Sequence, residues 1–248
     1  MIDPSLFTEP IALDRVQHRQ ARLKPAGTRF DCVTQKNSLF ITTVEFADAC
    51  RDFPIVFVDA GKDPEGRTEV APLAVLGLRQ GENLMLAADG RWDARYVPAV
   101  LRAYPLGLAA VDDQRYSLVV DGKADALSDE LGERLFDDAG EPSAFLANAQ
   151  KFLEEIELET QRTRQFGRRL FDLDLLRPMR FDATLPDGNT LTLDGFFTVD
   201  DEKLSALPDA AVLELHRNGM LSLIDAHRIS LGLMRSLVAR RLTQRATA

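Results

Sequence analysis

The stretch Ser143–Leu173 constrains the fold most. Phe145, Ala149, Phe152, Ile156, Thr163, Phe166, Leu170 and Leu173 recur at three- and four-residue spacings. On an α-helix those positions form one apolar stripe. Acids Glu154, Glu155, Glu157 and Glu159 precede bases Arg162, Arg164, Arg168 and Arg169, an order that complements the helix dipole. Ser143, just after Pro142, is placed to cap the helix, and Arg177-Pro178 is placed to end it. A helix this long has to bury its stripe against other elements.

Strand and hairpin signals flank it on both sides. Leu39–Val44 is rich in β-branched and apolar residues and reads as a strand. Glu45–Phe53 has helical spacing, with Phe46, Ala49, Cys50 and Phe53 on one face. Pro54 then starts a buried strand, Ile55–Val58, and Asp59–Glu69 reads as an exposed loop. Val70–Leu78 reads as a second buried strand, with Leu84–Leu86 pairing back on it. Trp92–Tyr104 reads as a helix that Pro105 stops. Leu106–Val111 and Tyr116–Val120 bracket the turn Asp112–Arg115, and Leu135-Phe136 is a short strand. Met179–Leu185 and Thr190–Val199 alternate around Pro186-Asp187-Gly188 as a hairpin. Asp200–Leu207 is a capped turn or short helix, Asp209–Arg217 a helix ending at Asn218-Gly219, and Met220–Leu242 the last helix.

These signals predict an α+β fold, with a largely antiparallel sheet built from hairpins and packed with a long mid-chain helix and a C-terminal helix. Residues 1–29 lack periodicity and read as an N-terminal arm. Residues 30–248 read as a single domain, with a sub-boundary near 140 where the composition shifts from β-rich to helix-rich.

Charge and cysteines narrow the function classes. Asp+Glu number 39 against 30 Lys+Arg, a net charge of −9. Such a chain repels phosphate backbones and anionic lipid, so nucleic acid is not an expected partner. The end of the chain is the exception, with Arg228, Arg235, Arg240, Arg241 and Arg245 against a single acid, Asp225. A basic helix end facing the negative pole of the helix dipole is favoured there over an anion-binding tail. Cys32 and Cys50 form no C-x-x-C and no metal-ligand pattern. They read as small buried hydrophobes in a reducing, cytoplasmic setting, with one disulfide between them formally open. The N-terminus has acids and prolines where a signal peptide needs a basic start and an apolar run. No stretch of about 18 apolar residues predicts membrane insertion. Signal-independent export stays open.

The usual catalytic signatures are missing. The sequence holds no Gly-x-Gly, no P-loop, no G-x-S-x-G elbow and no zincin or facial-triad motif, so no metal or other cofactor is expected. His227 falls on the apolar stripe of the last helix and reads as a packed, hydrogen-bonded core histidine. Trp92, Tyr96 and Tyr104 fall along one predicted helix, where core packing is the expected role. The densest mix of aromatic and charged groups is nonetheless there. A ligand-binding surface is therefore sought at Arg91, Trp92, Arg95 and Tyr96, with Arg79 in the neighbouring Gly77–Asn83 turn. No residue is assigned a catalytic role.

Several segments in fixed order resemble the bacterial SapC family. They are Phe53–Phe57, Ala74–Arg79 with Gly81–Leu84, Gly90–Trp92 with Tyr96–Ala99, and Arg102–Pro105. Gly132–Asp137 with Gly140, Asp194–Asp200, Lys203-Leu204 with Leu207, and Ala226-His227 with Ser230-Leu231 follow. The resemblance runs from about residue 30 to 240. The family takes its name from a surface-array locus, so it implies a role in surface-layer formation or secretion. Other members are similar to proteins encoded near TonB-dependent receptors and flavin-dependent tryptophan-halogenase-like enzymes. No catalytic residues are established for it and none are carried over. The expected function is a non-enzymatic binding or accessory protein, its partner a protein, a peptide or a small polar ligand. The alternatives are a cofactor-free enzyme acting on a polar substrate and a structural surface-array component.

Overall fold

The computed structural model describes residues 6–24, 27, 30–63, 65–112, 115–185, 188 and 190–247. The first elements are β1 (Pro10–Ala12), β2 (Arg22–Leu23), β3 (Ser38–Phe40), α1 (Phe46–Ala49), β4 (Ile55–Lys62) and β5 (Thr68–Val75). Then come α2 (Ala99–Ala103), β6 (Leu106–Ala110), β7 (Tyr116–Asp121), β8 (Leu127–Ser128), β9 (Glu133–Arg134) and α3 (Ala144–Asp172). The last are β10 (Leu176–Thr184), β11 (Thr190–Val199), α4 (Asp201–Ser205), α5 (Asp209–Arg217), α6 (Met220–Ser230) and α7 (Met234–Thr247). Every named strand pairing is antiparallel, and the fold is α+β.

The chain divides into two compact units. The first takes the chain up to Val33 and Ala99–Leu158; the second takes Thr34–Pro98 and Glu159 onward. In the first unit, β7 lies between β1 and β6, and β2 lies between β8 and β9. Segment 1–29 thus supplies strands to both small sheets. Its core gathers Ala21, Leu23, Leu108, Val120 and Leu135 under Leu146 and Leu153 of α3. Ser143 caps α3 as expected, its hydroxyl accepting from the Leu146 N–H at 3.2 Å.

The second unit holds a five-stranded sheet in the order β10-β11-β4-β5-β3. Phe57 of β4 and Phe46 after the β3 strand both meet Phe166 of α3, at centroid distances of 6.1 Å. The β10–β11 hairpin forms as predicted; residues 186 and 187 of its turn, like 113 and 114 of the β6–β7 turn, lie outside the described residues. Pro178 sits in β10, an edge strand, where its missing N–H removes no ladder bond on the open side.

Several sequence expectations are corrected. The first strand ends at Phe40, because Glu45 accepts the Thr42 N–H (2.7 Å) and hydroxyl (2.8 Å) and starts a helical turn. The loop expected over 59–69 is largely strand, with β4 reaching Lys62 and β5 starting at Thr68. Leu84–Leu86 forms no strand; one bond ties it to the sheet side, from the Leu84 N–H to the Leu76 carbonyl at 2.9 Å. The helix expected from Trp92 begins only at Ala99. The Trp92 indole donates to the Tyr96 carbonyl (2.8 Å) and Asp52 takes the Tyr96 N–H (2.7 Å), so those backbone groups are satisfied without a helix.

α3 stops at Asp172, five residues before Arg177. Asp174 adopts φ 52° there, and the Leu175 N–H reaches back to the Leu170 carbonyl at 3.0 Å. The last helix is interrupted at Leu231–Leu233 by a 3-10 turn containing Gly232. α5 ends on Gly219 at φ 77°, the left-handed cap that Asn218-Gly219 predicted.

Candidate functional site

The residues singled out in the sequence fall in the second unit. Arg79, Arg91 and Arg95 are exposed, and Trp92 and Tyr96 are half-buried. Trp92 packs on Phe53 at 6.0 Å, and the Tyr96 hydroxyl donates to Glu45 at 2.9 Å. Trp92, Tyr96, Glu45 and Asp52 thereby form a knot that pins the Trp92–Tyr96 loop to the chain around α1. Arg79, Arg91 and Arg95 take no part in these bonds; Arg91 pairs with Asp89 two residues away at 2.6 Å. Glu45 is the residue that sequence reasoning missed. Its signal was Thr42-x-x-Glu45, a capping-box spacing.

The basic end of the chain also has a different task from the expected one. Arg240 donates to the Asp93 carboxylate (2.8 Å) and carbonyl (2.9 Å). Arg241, buried, pairs with Glu82, whose other oxygen accepts the Leu78 N–H at 2.9 Å. Gln244 donates to the Leu84 and Leu86 carbonyls at 3.2 and 3.1 Å. Arg240, Arg241 and Gln244 of α7 hold the 78–93 segment in place. The side chain of Arg245 lies outside the described residues.

His227 is the packed histidine that its stripe position predicted. It is fully buried, and its ring bridges two strands. Nδ1 lies 2.8 Å from the Ile55 carbonyl, and Nε2 accepts the Val199 N–H at 3.1 Å. That pairing requires the neutral ring with the proton on Nδ1. Burial lowers its pKa to about 4.

A second ionic group, in which Asp63 is buried and its partners reach solvent, lies between β4, β5 and α3. Asp63 accepts from Arg67 at 2.7 Å and faces Arg168 at 3.1 Å, which also meets Glu69 at 3.0 Å. Burial pushes Asp63 up, but the Arg67 backbone and guanidinium, with Arg168, hold it below the usual carboxylate range. Both acids are taken up by these arginines, and the buried Arg168 Nε is left without a hydrogen-bond partner among the described residues.

Each unit has concave surfaces: in the second, one of about 410 Å³ lies over Asp59, Val70, Phe171 and Phe197, and in the first, two meet at Tyr104. Asp121 closes β7 and is fully buried. Its carboxylate accepts the Thr8 and Glu9 N–H groups at 2.9 Å each, the Lys123 N–H at 3.1 Å and the Tyr104 hydroxyl at 2.9 Å. Burial pushes Asp121 up, and those four donors outweigh it and keep the carboxylate ionised. Burial and the Asp121 charge raise the Tyr104 pKa, so its phenol stays protonated. Phe7 packs edge-on to the Tyr104 ring at 5.6 Å.

A cavity opens on each side of this pair, and Tyr104 and Ala126 line both. One, of about 270 Å³, is polar and includes Asp31, Cys32, Lys123 and Asp125. The other, of about 300 Å³, is mostly apolar, with Leu106, Phe145, Phe152 and Leu153 as walls and Lys24, Arg102 and Asn148 as polar groups. Phe145 and Phe152 lie on the predicted stripe of α3 yet are only half-buried, because they face this space. Cys32 and Cys50 form no disulfide with each other and are half-buried, a correction to their reading as buried hydrophobes. Among the described residues, no group of three or more His, Cys, Asp or Glu is placed to hold a metal ion. No helix among them is long and apolar enough to cross a membrane.

Antiparallel hairpins, a long striped helix and a half-apolar cavity beside a locked Tyr–Asp pair define the class as an α+β protein with a small concave site. The family can be named as well. The SapC family model matches residues 13–237, nearly the whole of the 248-residue chain, and the chain belongs to the SapC family. No curated protein and no solved structure matches it.

Proposed function

We propose that this chain is a non-enzymatic binding protein, acting beside an enzyme or export system, and that its ligand sits in the cavities around Tyr104. The observation that carries this reading is the 300 Å³ cavity, walled by aromatic and aliphatic side chains with a few polar groups at its edge. Small-ligand sites have this composition. The neighbouring ionisable groups favour binding over chemistry. Asp121 spends its lone pairs on four donors, and Tyr104 keeps its proton. A general base needs a free lone pair near the substrate. A reducing, cytoplasmic setting is in keeping with two cysteines that form no disulfide with each other.

The test is native mass spectrometry of the full chain purified gently from its own cells, followed by release and analysis of any bound small molecule. A ligand recovered unchanged after prolonged incubation supports the reading. Its conversion to a product would make the protein an enzyme, and an empty protein under every growth condition would sink the binding proposal. An Arg91→Ala/Arg95→Ala variant is expected to retain the ligand. Loss there would move the site to the surface formed by Arg79, Arg91, Trp92, Arg95 and Tyr96.

A further inference from the structure

We propose that the cavity over the sheet of the second unit binds a small aromatic amine, its ring against Phe171 and Phe197 and its ammonium at Asp59. This site goes beyond the binding reading above. It lies in the other unit and shares no lining residue with the Tyr104 cavities.

Charge is the first argument. The described lining of this cavity contains Asp59 and Asp174 and neither Lys nor Arg. Asp174 is already met by Lys203 at 2.6 Å. Asp59 is not. One of its oxygens accepts the Gly61 N–H at 2.8 Å, and among the described residues no Lys or Arg pairs with its carboxylate. Its other oxygen is left to accept from a ligand at the edge of an apolar surface. The cavity is therefore complementary to a cation and not to an anion.

The walls suit an aromatic body. Val70 of β5 is buried, and Leu176 of β10 and Phe197 of β11 are half-buried. Phe171 of α3 leaves 50% of its surface exposed, so the apolar lining runs from the sheet out to solvent. Two phenyl rings offer faces that attract a cation as well as an apolar ring. Thr68 of β5 adds a hydroxyl that can accept a second N–H from an ammonium.

Backbone contacts fix the shape. Gly167, one turn before Phe171 on the same face of α3, lies so close to β5 that a methyl would overlap the Val70 carbonyl. That contact sets the height of the Phe171 wall over the sheet. α3 ends at Asp172, and Asp174 at φ 52° turns the chain directly into Leu176 at the start of β10. Wall and floor are thus joined by one short connection. A volume of about 410 Å³ is at the lower end for ligand pockets and suits one ring with a short chain rather than a peptide segment.

The test is a titration of the full chain, followed by its amide NMR signals, with phenethylamine, phenethyl alcohol, phenylpropionate and N-acetyl-lysine methylamide. Phenethylamine, protonated at neutral pH, is expected to shift signals at Val70, Phe171, Leu176 and Phe197. It should bind about fivefold more tightly than the neutral alcohol, an advantage that fades at high salt. Phenylpropionate, with the wrong charge, and the lysine derivative, with no ring, should both bind more weakly than the amine. Asp59 is exposed and asparagine keeps the acceptor for the Gly61 N–H, so Asp59→Asn is expected to fold normally. It should erase the advantage of the amine and leave the alcohol unchanged, whereas Phe171→Ala should weaken both. Equal binding of amine and alcohol to wild type, or an advantage that survives Asp59→Asn, would overturn the placing of an ammonium at Asp59. Tighter binding of the lysine derivative would overturn the small-amine assignment in favour of a lysine side chain from a partner. No shift at these residues with any of the probes would overturn the site itself, with the Tyr104 cavities unaffected.

Discussion

Between pH 6.5 and 4, an unfolded copy of this chain takes up a proton at residue 227 that the folded one refuses. The unfolded state binds more protons in that window, so stability rises with pH through it and is lost as pH falls. The slope approaches about 1.4 kcal/mol per pH unit, and the whole window is of order 3 kcal/mol. Asp63 and Asp121 act in a different range. Their pKa values are lowered in the fold, so their contribution is present above the ordinary carboxylate range and goes only when pH falls below it. A glutamine at 227 offers a donor and an acceptor to Ile55 and Val199 but does not titrate. Urea unfolding of wild type and His227→Gln at pH 7, 5.5 and 4.5 should therefore show the loss between pH 6.5 and 4.5 in wild type alone. The same loss in the variant would assign it elsewhere. The role of His227 could be read from the sequence because it is a titratable residue on an apolar stripe. Its partners could not, since Ile55 and Val199 come from strands remote in sequence.

Elements follow the same division. α3 and the β6–β7 and β10–β11 hairpins were legible, since each is fixed by periodicity and by turn residues close in the chain. The 84–98 segment was not. Its apolar and aromatic residues suggest a hairpin and a helix, yet side chains from α7 and from around α1 take its backbone groups first. The candidate site was illegible for a related reason. Its walls come from residues 23–24, 102–106, 126 and 145–153, and only the Phe145, Ala149 and Phe152 spacing was visible.

Two substitutions test these packing arguments. Within α3, Gly167 lies against β5, where an added methyl would overlap the Val70 carbonyl. Helix propensity favours alanine over glycine by about 1 kcal/mol, but a backbone oxygen cannot rotate aside. Gly167→Ala should lower the urea midpoint, by about 2 kcal/mol, and a rise would show that the helix is free to move. At the other end of the chain, Arg241→Met leaves the Glu82 carboxylate without its guanidinium. A loss of about 2 kcal/mol is expected, with faster hydrogen exchange across 82–93 and little change in β4 and β5. Unchanged exchange in that segment would mean that α7 does not hold it.

At the scale of the whole chain, both compact units are discontinuous, and α3 contributes residues to each. Composition shifts near residue 140, and a cut there looks natural on the sequence. Packing says otherwise for the first unit, whose core needs Leu146 and Leu153 from α3 over Ala21, Leu23, Val120 and Leu135. A fragment ending at 140 keeps every strand of that unit but exposes the apolar face that α3 covers. Strands without a second layer do not bury enough surface to stay ordered. A fragment ending at 158 keeps the cover, and Thr34–Pro98 becomes a long closed loop whose entropic cost grows only with the logarithm of its length. The shorter fragment should therefore give collapsed amide NMR spectra. The longer one should keep dispersed signals from β1, β6 and β7. Dispersed β-strand signals from the 1–140 fragment would show that α3 is dispensable to this unit, and their absence from both would show that the unit cannot fold without the rest of the chain.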